Sequence, residues 1–184
     1  IGMDRGLEDA VNALRELPSG RAELHLRGRG DDAARRYVAR LVSDAGLPES
    51  AVVIHAPAPP EQMVALAGEH DVGLALEVPA SPNRIICMND LCTNKVFTYL
   101  MAGLALAATA VRPQTGVYEG AGFTYASGDT HALAAGLRRW LDDPAALQRA
   151  RQSAWDIATR RYNWECEQAN LLAALARVLP LSAH

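Results

Sequence analysis

Thr93, Asn94 and Lys95 are the residues whose types and spacing best suit chemistry, because they precede a mainly apolar run. Thr93 is a favourable helix N-cap, and the backbone N–H groups of the first helical turn would then point toward an anion such as phosphate. Lys95 is the single lysine among 18 basic residues. Its positive charge in a first turn opposes the helix dipole unless an anion offsets it. These residues indicate a phosphate site, with a plain cap and a surface lysine as the alternative.

Histidines and cysteines are the other residues that could do chemistry. His55 follows the apolar run Val52–Ile54 and would face a cleft, so it is interpreted as a contact to a nucleotide base or else as a loop histidine. His70 is interpreted as the end of a helix, where the dipole favours its partial charge. Cys87 and Cys92 are interpreted as packing residues and not as nucleophiles, because no general base is evident near them. The three cysteines are odd in number and lack the paired spacing of a zinc site or a disulfide framework. The sequence therefore predicts no metal site.

Helical and strand patterns alternate along the chain. Some segments repeat apolar residues at helical spacing, and other short runs are apolar or alternate between apolar and polar residues, as in strands. Helices are predicted at 7–17, 31–45, 59–67 and 94–102, and from 129 onward with a break near Asn163. Strands are predicted at 21–27, 52–54, 72–76, 104–108 and 122–126.

This order predicts an α/β fold, namely a three-layer, Rossmann-like domain with a parallel sheet and helices on both faces. Ligands bind such folds at the carboxyl ends of the strands. The loops at that edge are predicted at 1–6, 28–31, 55–59, 77–94 and 109–116. His55 and Thr93 fall within these loops, so the sequence places the candidate residues along one edge of the sheet.

Composition narrows the class of protein. The 184 residues are 49% hydrophobic and 21% charged, as expected for one globular domain, and the net charge of −3 argues against a general nucleic-acid-binding surface. No apolar run approaches the roughly 20 residues of a membrane span, and no signal peptide is recognised. We expect a cytoplasmic protein that binds no nucleic acid and reaches a membrane only through parts not present in this chain.

The segment from Asn94 to Leu104 resembles a signature of family-4-like glycosyltransferases of the GT-B fold (glycosyl transferases group 1). In that signature Asn-Lys is followed by apolar residues, Glu-Tyr and Ala-Gly-Leu-Pro. Five further pieces resemble the family's sequence in the same order, at Arg5–Ala10, Leu26–Gly30, Pro60–Met63, Asp71–Leu74 and Asn163–Glu165. The resemblance therefore covers nearly the whole chain.

The resemblance implies that residues 1–184 are the carboxyl-terminal half of a GT-B fold, a single donor-binding domain whose first strand is missing or truncated. It implies a retaining, metal-independent hexosyltransferase that takes a nucleotide-diphosphate sugar and uses no cofactor. The partner would be the N-terminal acceptor-binding domain of the same full-length protein, toward which the terminal helix at 163–184 would pack. This chain alone would then be inactive.

The resemblance also implies roles for single residues. Arg5 would clamp the diphosphate and Asp90 would touch the sugar hydroxyls, both as catalytic residues. The donor would be bound by Gly30, His55, Thr93, Asn94, Lys95 and Thr98. Thr98 stands where the family has the Glu that binds the ribose hydroxyls, and it offers one hydroxyl instead. Two alternatives stay open: a Rossmann-like module that binds a nucleotide without catalysis, and a nucleotide-sugar epimerase of GT-B architecture.

Overall fold

Helices and strands alternate along the chain in the order that the sequence predicts. The structure is a computed structural model that describes residues 1–2, 5–79, 85, 93–112, 116 and 120–179. Its strands are β1 (Leu24–Arg27), β2 (Val52–His55), β3 (Val72–Ala75), β4 (Ala105–Thr109) and β5 (Gly122–Tyr125). Its α-helices are α1 (Leu7–Glu16), α2 (Asp32–Asp44), α3 (Met63–Ala67), α4 (Asn94–Met101), α5 (Thr130–Asp142), α6 (Pro144–Arg160) and α7 (Trp164–Val178). Short 3₁₀ turns cover Glu49–Ala51 and Pro60–Gln62.

All strand pairs are parallel, but the strands form two sheets instead of one. The first sheet has the order β1–β2, with His25 opposite Val53 and Arg27 opposite His55. The second has the order β3–β4–β5, with Leu106 opposite Gly73 and Gly122. A cavity of about 550 Å³ is lined by residues 20–25 and 71–74, which belong to or flank β1 and β3. The predicted parallel α/β architecture is confirmed, and the two sheets border one cavity.

Helices cover both faces of β4, all five residues of which are buried. On one face Ala107 packs with Val11 and Leu14 of α1 and Leu133 of α5. On the other face the packed residues come from β4, α4 and α6, and include Leu106, Ala108, Val96, Leu100 and Ala154. The apolar run of β4 explains this arrangement, because a parallel strand between two helical layers has no side facing water. The predicted three layers are therefore confirmed at this sheet.

Side-chain caps begin four of the helices. Asp31, Asp129 and Asp143 each accept a hydrogen bond from the backbone N–H three residues later, at 2.8–2.9 Å. Asn163 does the same for Cys166 at 2.9 Å, so the break predicted near Asn163 is the start of α7. These acceptors satisfy backbone donors that the first turn of a helix leaves without a partner in the helix.

The terminal helix α7 buries no residue. Its exposed large apolar side chains are Trp164, Leu171, Leu172, Leu175 and Val178. That the terminal helix packs toward an N-terminal domain stays a prediction, and residues 180–184 of the predicted segment lie outside the described residues. Among the described helices, none combines the length and apolar character that crossing a membrane requires.

Candidate functional site

Lys95 reaches the carboxyl end of β3. Its Nζ donates a hydrogen bond to the carbonyl oxygen of Leu76 at 3.0 Å and lies 3.1 Å from Oε1 of Glu77. The Glu77 side chain has no solvent-exposed surface, whereas the Lys95 side chain is 35% exposed. A buried carboxylate is costly without a nearby positive charge, so this ion pair fixes where the ammonium group lies. The only lysine of the sequence is thus held at the edge where α/β folds bind ligands.

Glu77 also connects the ends of two strands. Its backbone N–H donates to Oγ1 of Thr109 at 2.9 Å, and Thr109, the last residue of β4, is 2% exposed. Sequence reasoning misses Glu77, because the pattern there indicates only the start of a long loop. The available signal was an acidic residue directly after a buried strand, since carboxylates in that position need a positive partner.

The start of α1 lies against the same segment. Gly6 has a φ of +71°, and a Cβ built on it would lie 2.8 Å from Cβ of Leu76. Only glycine allows this close approach together with a left-handed backbone. Arg5, the predicted diphosphate clamp, precedes Gly6 in the chain and is exposed. Asp90, the other predicted catalytic residue, lies outside the described residues.

The first turn of α4 differs in detail from its prediction. Thr93 is the N-cap residue with extended backbone angles, but its side chain forms no capping hydrogen bond. Asn94 is exposed, and its carbonyl oxygen accepts a hydrogen bond from Oγ1 of Thr98 at 3.2 Å. Tyr99 packs over the sheet at Gly73, where a built Cβ would lie 2.4 Å from the ring. Thr98 is half-buried, and its hydroxyl is bonded within its own helix. Its contact to ribose stays a prediction.

Gly30 and His55 lie in other surroundings. Gly30 follows β1, and a Cβ built on it would lie 3.4 Å from Cβ of Ile1. The ring of His55, the last residue of β2, contacts His25 with 2.8 Å between Nε2 of His55 and Nδ1 of His25. The structure thus brings Gly6, which follows Arg5, and Lys95 of α4 to the Leu76–Glu77 segment, whereas His55 joins a second polar group.

That second group is a histidine cluster, formed by His25, His55 and His70. The ring centroid of His25 lies 4.6 Å from that of His70, and the centroids of His55 and His70 are 6.2 Å apart. Nε2 of His25 lies 3.2 Å from Oε2 of Glu23. Burial, together with the neighbouring His25 and His55, lowers the pKa of His70. His70 lies three residues after α3, and its lowered pKa disfavours the positive charge that the helix dipole is expected to favour. Its ring lies against His25 of β1 and His55 of β2.

Comparison with known proteins identifies the fold of this chain. Neither a protein-family model nor a curated protein matches the sequence. Sucrose-phosphate synthase from Thermosynechococcus elongatus is similar in structure at a TM-score of 0.76 and 23% identity, over 97% of this chain and 44% of that protein. Anabaena HepE in complex with UDP-glucose is similar at a TM-score of 0.75 and 17% identity, over 95% of this chain and 47% of HepE.

A third similar structure is a single domain. The C-terminal domain of the group 1 glycosyltransferase LpcC from Francisella tularensis is similar at a TM-score of 0.69 and 15% identity, over 89% of this chain and 82% of that domain. This chain spans about half the length of the two larger proteins. It has the fold of the carboxyl-terminal half of a GT-B glycosyltransferase.

Proposed function

We propose that this chain is the nucleotide-sugar-binding domain of a retaining, metal-independent glycosyltransferase of the hexosyltransferase type. The observation that carries the proposal is the position of Lys95, which the carbonyl of Leu76 and the carboxylate of Glu77 hold at the carboxyl end of β3. Ligands of α/β folds bind at that edge. HepE, which has a similar fold, was solved with UDP-glucose, a nucleotide-diphosphate sugar.

The chemistry of the donor suits the charges near Glu77. Breaking a sugar–phosphate bond leaves a diphosphate that gains negative charge, and fixed positive groups aimed at it lower the barrier. Lys95, Arg5 and the first backbone N–H groups of α4 would supply these groups. Asp90 would contact the sugar hydroxyls, and Thr98 the ribose. Basic side chains would thus take the part that a metal ion plays in other phosphate sites, which is our reason for proposing metal independence.

The ion pair determines how the proposal is tested. Replacing Lys95 alone would leave Glu77 buried beside an apolar side chain, so weaker binding could reflect a damaged fold. The Glu77→Gln variant keeps the ammonium group, and the Glu77→Gln/Lys95→Met variant removes both charges together. Calorimetric titration of both variants with UDP and with uridine isolates the contribution of the ammonium to phosphate binding.

We expect the double variant to bind UDP about 10- to 150-fold more weakly than Glu77→Gln, because a hydrogen bond to a charged group contributes about 1.5–3 kcal/mol. Uridine affinity should be equal in the two variants. Arg149→Ala is the control, because it also removes a positive charge, from a side chain on α6 that is 70% exposed. An equal response to uridine and UDP in the wild-type chain would contradict the proposed phosphate site.

We also propose that the chain alone transfers no sugar, because a GT-B cleft needs an acceptor domain. Incubation with sugar nucleotides and a panel of acceptors checks this, and turnover at enzyme-like rates would contradict it. The two alternatives predict different results for the full-length protein. A binding module would leave every sugar nucleotide intact, and an epimerase would change the sugar without an acceptor.

A further inference from the structure

The histidine cluster joins three separate elements of the fold. His25 lies within β1, His55 ends β2, and His70 lies two residues before β3 begins. One imidazole nitrogen from each residue lies within 4.8 Å of the other two. We propose that His25, His55 and His70 bind one divalent transition-metal ion of the zinc type. This inference does not depend on the proposed sugar-nucleotide site.

The distances suit a small tetrahedral ion. Zinc binds histidine nitrogen at about 2.0–2.1 Å, which places two nitrogens of a tetrahedral site about 3.3 Å apart. Nδ1 of His25 and Nε2 of His55 are 2.8 Å apart, and one nitrogen of each of the three rings lies within 4.8 Å of the other two. The upper limit exceeds the tetrahedral separation by about 1.5 Å, a difference that side-chain movement of the three histidines would close.

A carboxylate orients one of these ligands. Oε2 of Glu23 lies 3.2 Å from Nε2 of His25, on the opposite side of the ring from the nitrogen that faces His55. Metal-binding histidines commonly donate their second N–H to a carboxylate, which fixes the tautomer and makes the ligating nitrogen more basic. Glu23 thus has the geometry of the outer partner in a carboxylate–histidine–metal arrangement.

The ligand types select the class of ion. Three imidazoles favour zinc, copper or nickel, whereas magnesium and calcium prefer oxygen ligands. Three protein ligands leave a fourth position, and the cavity of about 550 Å³ is lined by both His25 and His70. Arg27 also lines this cavity, and its positive charge reaches His70, while its Nη1 donates to the carbonyl oxygen of Ala56 at 3.1 Å. A bound ion would link the β1–β2 sheet to the segment that leads into β3.

Metal titration of the full chain tests the proposal. The protein is prepared without an affinity tag and stripped with a chelator, and Zn²⁺ affinity and stoichiometry are measured by competition with a chromophoric chelator. The variants are His25→Gln, His55→Gln, His70→Gln and Glu23→Gln. His131→Gln is the matched control, because the side chain of His131 is 87% exposed and its Nδ1 also contacts a glutamate, at 2.9 Å from Glu16.

We expect one zinc ion per wild-type chain and per His131→Gln chain. Glu23→Gln should weaken binding by roughly 10- to 100-fold, the usual cost of losing an outer partner, and each ligand variant should weaken it further. Circular dichroism of the metal-free proteins checks that the variants fold. Unchanged zinc affinity in His70→Gln, or no zinc bound to the wild-type chain, would overturn the proposal.

Cobalt gives a readout that needs no variant. Co²⁺ bound to three histidines in a tetrahedral site should give visible ligand-field absorption without an intense band from thiolate. A spectrum equal to that of hexaaqua cobalt, or one dominated by thiolate, would also overturn the proposal, because the ion would then be free or bound by cysteine.

Discussion

The β3–β4–β5 sheet and the β1–β2 sheet differ in how far they are buried. All five residues of β4 are buried, whereas β1 buries only Leu24 and β2 buries none. The Lys95–Glu77 pair at the β3–β4–β5 sheet and the histidine cluster at the β1–β2 sheet differ accordingly. In the buried sheet the Glu77 carboxylate is paired with Lys95, because an isolated charge there is costly. In the half-buried sheet the imidazoles gather beside a cavity, with one carboxylate at the edge.

The difference in burial between the two sheets determines which kind of ligand each cluster suits. A ligand with fixed charges, such as a diphosphate, is bound best by groups whose own positions are locked by packing. The Lys95–Glu77 pair meets that requirement through its strand-end contacts. The histidine cluster has more freedom to adjust, which suits an ion that draws its ligands together. We therefore assign the two clusters to different ligands.

The largest expected effect is on stability in the buried sheet. Leu106→Ala should lower the free energy of unfolding by about 2–5 kcal/mol, because Leu106 is 0% exposed and its loss leaves a cavity. Ile54→Ala in β2 removes the same number of carbon atoms from a half-buried position. Its cost should be less than half as large, since less apolar surface returns to water. Urea unfolding measures both, and equal losses would contradict the contrast between the sheets.

The next largest effect is the loss of stability when the Lys95–Glu77 ion pair is broken. Lys95→Met should cost about 2–3 kcal/mol, somewhat less than breaking a fully buried pair, because the Lys95 side chain is 35% exposed and partly solvated. Adding Glu77→Gln should recover most of that loss, since no charge is then left buried. Thermal and urea unfolding of the two variants measure the recovery. A double variant less stable than Lys95→Met would mean that Glu77 stabilises the fold through other contacts.

Local patterns predicted the helices and strands better than they predicted the polar clusters. The start of α4 and the cap at Asn163 follow from neighbouring residues, so a linear reading of the sequence finds them. The pairing of Glu77 with Lys95 spans 18 positions and depends on how α4 packs against β3. The histidine cluster depends on strand register, which pairs His25 with Val53 and so places His55 two residues beyond the partner of His25. Interactions fixed by register and packing leave no periodic signal in the sequence.

A smaller effect on the free energy of unfolding is expected from Tyr37 of α2, in the helical layer over the β1–β2 sheet. Burial and a hydrogen bond to Glu8 raise the pKa of Tyr37 to about 12, with 2.9 Å between its hydroxyl and Oε1 of Glu8. Between pH 10 and about 12 the unfolded chain releases this proton while the folded chain keeps it. The free energy of unfolding should therefore fall as the pH rises through that window, by about 1 kcal/mol or less at pH 11.

Tyr37→Phe removes this titration and is the control for it. Urea unfolding at pH 9 and pH 11 should show a smaller difference between the two pH values in the variant than in the wild-type chain. The same pH dependence in both proteins would mean that the Tyr37 hydroxyl is not held by Glu8 in solution.

The smallest expected effect tests Thr98 at the proposed donor site. Thr98 lies three residues after Lys95, so the two share a face of α4, and the Thr98 hydroxyl donates a hydrogen bond to the Asn94 carbonyl oxygen. Thr98→Glu should restore an acceptor for both ribose hydroxyls and tighten UDP binding about fivefold, as one hydrogen bond of about 1 kcal/mol would do. The affinity for 2′-deoxy-UDP should not improve. Calorimetric titration measures both ligands, with Thr98→Gln as the uncharged control of the same length. If Thr98→Glu instead lowers stability by more than about 2 kcal/mol and does not discriminate the ribose, position 98 faces the protein interior and the proposed orientation of α4 toward the donor is wrong.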